Sequence, residues 1–405
     1  MKIGTIIFAY NRSEHMRQVL EALSQNDVLP EKLYLFQDGM KESTNIDEWN
    51  KVGELIRDVN WCETEVHISE KNKGLASTIV SGVSYVLREC DAVIVLEDDC
   101  VPHKQFMRFM VSALYTYQKE EKVYSVSGYA WNIDLVHQAE DAYFNGRCSS
   151  YGWGTWKDRW RQYEEDYNIL TRIRKDPEAN ERLRIWGNDL ENMLLGKVVS
   201  ANDSWAVFWA LKIIEMGGYC LNPYKQLIHN IGFDGSGVHS FSAKRQDTFA
   251  MWDREYQNML HFPQKLECTD ECKEEFQFLF GGKHGTEKWK LYQDILLKWI
   301  QMKQKGKTIR VPNDFKDDIA IWGKGKVYDC LIQEIKDQTL VKYIVESRPY
   351  IEEYNSIPVV SIKALPEDIK HIIVIPFFDL EIIETKVKKL RPDISLLGMD
   401  ELLQS

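Results

Sequence analysis

The feature that most constrains this chain of 405 residues is the repeated order of strand and helix near its beginning. Short apolar runs, rich in β-branched residues, alternate with segments of helical periodicity, and each run ends in polar residues. The predicted strands are residues 3–8, 33–36, 65–68 and 93–96. Such strands pair in parallel, because each intervening helix returns the chain to the same end of the sheet. The sequence therefore predicts an α/β fold with a doubly wound sheet.

Three consecutive carboxylates, Glu97, Asp98 and Asp99, follow the fourth predicted strand directly. The carboxyl ends of parallel strands form the ligand edge of an open α/β sheet, and Asp38 follows the second strand at that same edge. Adjacent carboxylates repel one another and are costly to desolvate unless a cation is present. Two interpretations of the triplet are open from these residues: a divalent metal with a phosphate beyond it, or a solvated acidic turn.

Charge and hydropathy limit the classes of partner. The net charge is −11 at pH 7, which argues against a general nucleic-acid-binding protein. No apolar stretch is long enough to cross a bilayer, and the N-terminal run is too short for a signal peptide. We expect a cytoplasmic protein with reduced thiols. A basic amphipathic helix around residues 288–303 either packs on the first domain or rests on the inner surface of the membrane.

Three segments in the middle of the chain carry polar or glycine-rich patterns. Gly152-Trp153-Gly154 is either a ligand surface or a tightly packed turn. Asp203 precedes a helix predicted for residues 205–216 and is a candidate for its cap. Residues 229–239 contain three glycines and two histidines, a composition with little intrinsic order that suits a lid over a ligand.

The pattern divides the chain into residues 1–261, a helical linker at residues 262–312, and a small Rossmann-like α/β domain at residues 313–405. The last domain has a strand, a glycine-rich turn and a helix, but Tyr328 stands where the third glycine of GxGxxG belongs. Glu346 is the candidate ribose-binding acid of that domain. A nucleotide-binding domain and a structural or partner-docking module both remain open.

Taken together and in this order, the motifs of residues 1–245 resemble those of GT-A fold glycosyltransferases of the family 2 type, with a doubly wound mixed sheet. They are especially similar to the branch that contains N-acetylglucosaminyltransferase I. The resemblance rests on Ala9-Tyr10-Asn11-Arg12, Gln37-Asp38-Gly39, Asn72-Lys73-Gly74-Leu75, Glu97-Asp98-Asp99, Gly152-Trp153-Gly154, Asp203 before Trp205, and Asn230 to His239.

The resemblance implies an inverting, metal-dependent hexosyltransferase in bacterial surface polysaccharide synthesis. Its donor would be a nucleoside-diphosphate sugar, with UDP expected, and its acceptor a hydroxyl of a saccharide or a lipid-linked saccharide. Asp203 would be the catalytic base that takes the proton of that hydroxyl. Asp99, with His239 as a further candidate, would ligate the Mn²⁺ or Mg²⁺ that stabilises the leaving diphosphate.

The resemblance also implies two groups of binding residues. The nucleotide would be bound by Ala9, Tyr10, Arg12, Asp38, Lys73 and Asp98. The donor sugar and the acceptor would be bound by Glu97, Trp153, Gly154 and Trp205.

Two other classes of function remain open. A sugar-nucleotide-forming nucleotidyltransferase also places acids and a metal at the edge of a doubly wound sheet. It normally carries a glycine-rich basic loop after its first strand, where this chain has Ala9-Tyr10-Asn11-Arg12. The third class is a non-catalytic protein that only binds nucleotide sugars or a partner. Release of pyrophosphate would indicate the second class, and failure to bind UDP with Mn²⁺ the third.

Overall fold

The chain forms two compact units, Met1–Phe280 and Gly281–Ser405. The computed structural model describes the first unit almost completely and the second in part. The described residues are 1–131, 133, 135, 140–198, 203–232, 260–280, 298–299, 302, 309, 311–312, 315, 318–323, 328, 331–333, 335, 340–346, 353–376 and 380–403.

Strands and helices alternate regularly in the first part of the first unit and less regularly after it. In chain order the elements are β1 (Ile3–Ala9), α1 (Ser13–Ser24), β2 (Lys32–Gln37), α2 (Ile46–Arg57), β3 (Glu63–Ile68), α3 (Leu75–Val86), β4 (Ala92–Glu97), β5 (Cys100–Pro102), α4 (Phe106–Tyr117), β6 (Val123–Ser127), β7 (Ala142–Asn145), β8 (Trp153–Trp156), α5 (Lys157–Trp160), α6 (Ile169–Lys175), α7 (Pro177–Trp186), α8 (Leu190–Val198), α9 (Ala206–Met216), β9 (Tyr219–Pro223), β10 (Ile228–Asn230) and α10 (Asp270–Phe280).

Eight of these strands form one mixed sheet in the order β3-β2-β1-β4-β8-β6-β9-β7. Strands β3, β2, β1 and β4 are parallel, as the alternation predicted. Strand β8 is antiparallel to both β4 and β6, so β6 and the parallel β9 run in the direction of β4. One edge of the sheet is therefore formed by the carboxyl ends of β3, β2, β1, β4, β6 and β9. This architecture confirms the predicted α/β class with a mixed sheet.

The apolar runs are strands because both of their faces are buried. Along β4, Val93 and Val95 face the core on one side of the sheet, which includes residues of α3. Ile94 and Leu96 face the other core, which α1 and α4 cover. A strand buried on both faces reads as a continuous apolar run, and this is the pattern that marked β4 in the sequence.

The first unit extends beyond residue 261, where the sequence suggested that a linker begins. Helix α10 packs against α7, and the Phe276 side chain is fully buried in the core of this unit. The apolar face of α10 is therefore committed to the first unit. The predicted amphipathic helix around residues 288–303 lies outside the described residues, apart from residues 298–299 and 302.

The second unit contains β11 (Ile319–Trp322), β12 (Val341–Val345), β13 (Glu353–Tyr354), β14 (Ile357–Val360), β15 (His371–Val374), α11 (Leu380–Leu390), β16 (Ser395–Gly398) and α12 (Met399–Leu402). Its sheet has the order β13-β14-β12-β11-β15-β16, in which only β13 is antiparallel to its neighbour. The chain adds β12 and β14 on one side of β11 and then β15 and β16 on the other side. Doubly wound nucleotide-binding folds have the same kind of strand order. The Rossmann-like class predicted for this unit is thus confirmed as a fold.

Within the described parts of both units, no helix combines the length and the apolar character that crossing a bilayer requires.

Candidate functional site

The acidic triplet lies at the carboxyl end of β4, where the parallel half of the sheet meets the antiparallel strand β8. Glu97 is the last residue of β4 and pairs with Phe8 of β1. The chain then turns through Asp98 and Asp99 into β5, which pairs with β10. The backbone N–H of Ile231 donates to the carbonyl oxygen of Asp99 at 2.9 Å. Strand β10 and the residue after it thus fix the backbone at the end of the triplet.

Arg12 supplies the positive charge next to the triplet. Its guanidinium contacts the carboxylate of Asp98 and lies 3.0 Å from Oδ2 of Asp99. The backbone N–H of Tyr10 also donates to Asp98, at 3.3 Å. Asp98 is 4% exposed, so its charge is offset by these two donors rather than by water. The turn after β1 therefore holds the triplet in place.

The triplet still carries more negative charge than Arg12 can balance. Burial and the charges of Asp99 and Asp98 raise the pKa of the Glu97 carboxyl, while Arg12 opposes the rise. Burial also raises the pKa of the Asp98 carboxyl, against the effect of Arg12. Among the residues that the structure describes, none donates a hydrogen bond to the carboxyl group of Glu97. An edge with three acids and one guanidinium attracts a further cation.

Asp38, at the end of β2, holds the loop that leads into α3. Its Oδ1 accepts hydrogen bonds from the backbone N–H groups of Gly39 and Lys73, both at 2.9 Å. Its Oδ2 accepts one from the N–H of Gly74 at 3.0 Å. The side chain is buried, and these three donors satisfy both of its oxygens. The geometry gives Asp38 a structural part in shaping the loop, and its expected contact with a nucleoside stays a prediction.

Asp203 does not cap the helix that follows it. Helix α9 has no side-chain cap, and Asp203 Oδ2 instead accepts a hydrogen bond of 3.2 Å from the N–H of Ala76 in the first turn of α3. Oδ1 lies 3.1 Å from Nζ of Lys197, whose side chain is 9% exposed. The Asp203 side chain is 50% exposed. The carboxylate is thus oriented by two donors and still reaches solvent at the ligand edge.

These contacts join the predicted residues into one arrangement. Asp98 accepts from the backbone of Tyr10, and the preceding residue, Ala9, accepts a hydrogen bond from the N–H of Asp38 at 3.1 Å. Asp38 holds Gly74, and Asp203 contacts Ala76 two residues further on. The acidic triplet, the loop before α3 and the candidate base therefore border the same stretch of the ligand edge.

The tryptophans that were predicted to contact sugar lie in the core. Trp153 and Trp205 are 1% and 3% exposed, and their rings stack with centroids 4.7 Å apart. Gly154 lies within β8, where an added Cβ would approach the carbonyl oxygen of Val93 to 2.7 Å. Gly154 is therefore needed for close packing of β8 on β4. In the structure none of these three residues offers a surface on which a sugar could rest, which differs from the expectation.

The remaining residues predicted to bind the nucleotide, Ala9, Tyr10 and Lys73, differ in exposure. Ala9 is buried, while Lys73 is exposed on the loop before α3. Tyr10 is half-buried; its hydroxyl contacts that of Thr44, and the ammonium of Lys41 lies 5.8 Å from its ring centroid. No pattern in the sequence indicated Lys197, because its partner Asp203 lies beyond the end of α8. The fixed spacing of a helix cannot reveal such a contact.

The donor atoms of the triplet fit a hard divalent cation in part. Carboxylate oxygens suit Mg²⁺ and Mn²⁺, which proteins often bind through one or two carboxylates plus phosphate oxygens of the substrate. Asp98 is engaged by Arg12, whereas Glu97 and one oxygen of Asp99 are not. No group of three histidine, cysteine or acidic side chains is arranged to hold a metal within the described residues. His239 and the rest of residues 233–259 lie outside those residues.

Comparison with known proteins finds solved structures that match part of this chain. The chain matches no protein-family model and no curated protein sequence. Residues 1–349 of S. aureus TarS, solved in complex with UDP, are 15% identical over 42% of this chain and 48% of that chain, with a TM-score of 0.28. This chain therefore spans about half of that structure.

Two further solved structures match part of the chain. Mannosyltransferase PcManGT from Pyrobaculum calidifontis, in complex with GDP-Man and Mn²⁺, is 11% identical over 53% of this chain and 69% of that chain, with a TM-score of 0.27. A cytidylyltransferase from Leptospira borgpetersenii is 13% identical over 40% of this chain and 63% of that chain, with a TM-score of 0.27.

Proposed function

We propose that the first unit is a glycosyltransferase of the hexosyltransferase type. It transfers a sugar, with inversion, from a nucleoside-diphosphate sugar to a hydroxyl of a saccharide or lipid-linked acceptor. UDP is the expected nucleotide, and assembly of a bacterial surface polysaccharide is the expected context. One observation carries the proposal: direct hydrogen bonds connect the acidic triplet, the Asp38 loop and Asp203 along a single ligand edge.

Asp203 is proposed as the base for the acceptor hydroxyl. Its two oxygens offer about four lone-pair positions, of which the Ala76 N–H and the Lys197 ammonium occupy two. The carboxylate therefore retains acceptor capacity on its exposed side. A carboxylate fixed in orientation by its neighbours can take the proton as the acceptor oxygen attacks the anomeric carbon. The transition state is expected to resemble an oxocarbenium ion, as in glycoside hydrolysis.

The acidic triplet is proposed to face the diphosphate and the donor sugar. Asp99 and Glu97 are the residues with carboxylate oxygens available for a divalent cation, because Arg12 engages Asp98 most closely. When bound, Mn²⁺ or Mg²⁺ would supply positive charge to the leaving diphosphate. Arg12 holds the carboxylates of Asp98 and Asp99 in register with the end of β1. Asp98 acts by positioning Arg12 and Tyr10 at the nucleotide side.

Binding and turnover of donors test the proposal. The full chain is mixed with nucleotide sugars and Mn²⁺, and both thermal unfolding and release of nucleoside diphosphate are measured. Binding to the native state alone raises stability by about 2.7 kcal/mol at a ligand concentration of 100 Kd, so the cognate donor should stand out. The matched variants are Asp99→Asn, which should lose the shift, and Glu54→Gln on the exposed face of α2, which should retain it.

Two results would contradict the proposal. Release of pyrophosphate from a nucleoside triphosphate and a sugar phosphate would indicate a nucleotidyltransferase instead. Equal stabilisation of wild type and Asp99→Asn by every donor would remove the acidic triplet from the binding site.

A further inference from the structure

A cavity lies in the first unit, at the β7 end of the eight-stranded sheet. Its volume is ≈ 350 Å³, within the range of about 300–1,000 Å³ that is usual for small-molecule sites. One wall is β7 and the start of the segment after β9. The other wall is the segment before α10 together with the first turn of that helix, within residues 263–272.

The second wall is held rigidly against β7. The N–H of Asp141 donates to the carbonyl oxygen of His261 at 2.7 Å, and the N–H of His261 donates back to the Asp141 carboxylate at 2.7 Å. The Tyr117 hydroxyl donates to the carbonyl oxygen of Pro263 at 2.8 Å. At the other end, the Cys272 thiol contacts the carbonyl oxygen of Phe144. Both ends of the wall are anchored, so the cavity is preformed.

The start of β7, which lines the cavity, lies at the same edge of the sheet as the acidic triplet. Strand β7 begins at Ala142, which pairs with Pro223 at the carboxyl end of β9, and β9 runs in the direction of β4. In the sheet order, β7 is the fourth strand from β4, which corresponds to roughly 19 Å at the spacing of neighbouring strands. The two sites therefore lie on one continuous edge.

The lining combines aromatic surface with separated polar groups. The rings of Tyr143 and Tyr224 have centroids 5.1 Å apart. Glu140, Glu267 and Glu271 supply carboxylates, and Lys265 supplies an ammonium group. These acids do not form a group that could hold a metal, since the described residues contain no such group of three. Separated acceptors beside aromatic rings suit a ligand with several hydroxyl donors and an apolar face.

We propose that this cavity binds the saccharide chain of the acceptor, at a distance from the hydroxyl that reacts. The proposal rests on the function proposed above. It adds a binding site for the acceptor saccharide that lies apart from the donor site. Carboxylates of Glu140 and Glu267 accept hydrogen bonds from sugar hydroxyls, and the bound chain extends along the edge towards Asp203.

The test is direct binding of the full chain to a printed array of neutral and acidic oligosaccharides. Wild type is compared with the double variant Glu140→Gln and Glu267→Gln, and with Gln264→Trp, which fills the cavity from an exposed position. The matched control is the double variant Glu54→Gln and Glu121→Gln, at exposed acids elsewhere on the unit. Thermal unfolding confirms that each variant folds.

We expect wild type and the control to retain at least one saccharide, and both cavity variants to bind it about tenfold more weakly. Equal binding by all four proteins, or no saccharide retained by wild type, would overturn the proposal. Thermal shift with UDP and Mn²⁺ on the same samples separates the two proposals. An intact shift without cavity-dependent binding refutes the saccharide site alone. Cavity-dependent binding without a shift refutes the donor chemistry and leaves the saccharide site supported.

Discussion

Oδ2 of Asp203 accepts a hydrogen bond of 3.2 Å from the backbone N–H of Ala76, in the first turn of α3. The contact joins a residue near the start of α9 to a helix that belongs to the parallel half of the sheet. The positive end of the α3 dipole and the ammonium of Lys197 both stabilise the carboxylate in this position. Asp203 thus has a structural contact and a proposed catalytic role, which substitutions can separate.

Replacing Asp203 with Asn should separate them. Asparagine retains an oxygen for the Ala76 N–H, so we expect the free energy of unfolding to fall by only about 1 kcal/mol. It cannot accept the proton of the acceptor, so transfer should fall by about 10²–10⁴-fold. The measurements are nucleoside diphosphate release with donor and acceptor, donor affinity, and denaturant unfolding. Asp203→Ala, which also loses the structural contact, serves as the comparison. Turnover of Asp203→Asn within about twofold of wild type would exclude the proposed base.

Replacing Asp38 with Asn should loosen the loop before α3. The carboxylate accepts from three backbone N–H groups, and the amide group of asparagine would point donors at one or more of them. A buried donor left without an acceptor costs about 1–3 kcal/mol. We expect a loss of stability in this range and faster amide exchange at Lys73 and Gly74. Amide exchange as slow as in wild type would show that Asp38 does not hold this loop.

Removal of divalent metal should weaken binding of the donor. The acidic triplet has only one guanidinium to balance it, and a diphosphate would bring further negative charge. We expect chelation by EDTA to abolish the rise in unfolding temperature that UDP produces with Mn²⁺, and Asp99→Asn to have the same effect. Asp47→Asn, an exposed position in the first turn of α2, is the control. A shift that survives both EDTA and Asp99→Asn would indicate a metal-independent site.

The ion pairs between β2 and β3 should make stability depend on pH. The Glu65 carboxylate lies 2.6 Å from the Lys32 ammonium and accepts from the Tyr85 hydroxyl at 2.9 Å. These hydrogen bonds, that of Lys32 first, lower the pKa of Glu65 from 4.5 to about 2. A lowered pKa in the folded state stabilises the protein above the unfolded pKa, and this contribution is lost as the pH falls towards 2.

Glu65→Gln tests this pH dependence. We expect the variant to be less stable than wild type at pH 7 by about 1 kcal/mol, after allowance for screening by solvent. The difference should shrink between about pH 4.5 and pH 2, where wild type itself becomes protonated. Thermal unfolding across this range measures it. A difference that stays constant with pH would assign the loss to packing rather than to charge.

The sequence predicted the parallel half of the sheet well. Residues 3–8, 33–36, 65–68 and 93–96 all lie within β1 to β4. In β1, β2 and β4 burial leaves a local mark in the sequence, an apolar run with polar ends. Strand β3 is only partly buried, and its place in the regular alternation of strands and helices supported the prediction. The polar residues after β2 and β4 then indicated the ligand edge.

Other features depend on contacts between residues far apart in the sequence, and no local pattern reveals them. Gly154 looked like part of a ligand surface or a turn, because glycine is uncommon inside strands. The need for it arises from Val93 on the neighbouring strand. In the same way, Asp203 looked like a cap of α9, whereas its partner is Ala76. Only the fold brings these pairs together.

The contacts of the Arg12 guanidinium with Asp98 and Asp99 should couple the binding of a metal ion to the binding of a nucleotide. The free chain already holds a counter-ion against two of its three acids, so an added metal ion competes with part of the protein itself. A diphosphate offers Arg12 another anion and gives the metal additional oxygen ligands. We therefore expect ion and nucleotide to bind with positive cooperativity. By linkage, each should raise the affinity of the other by the same factor.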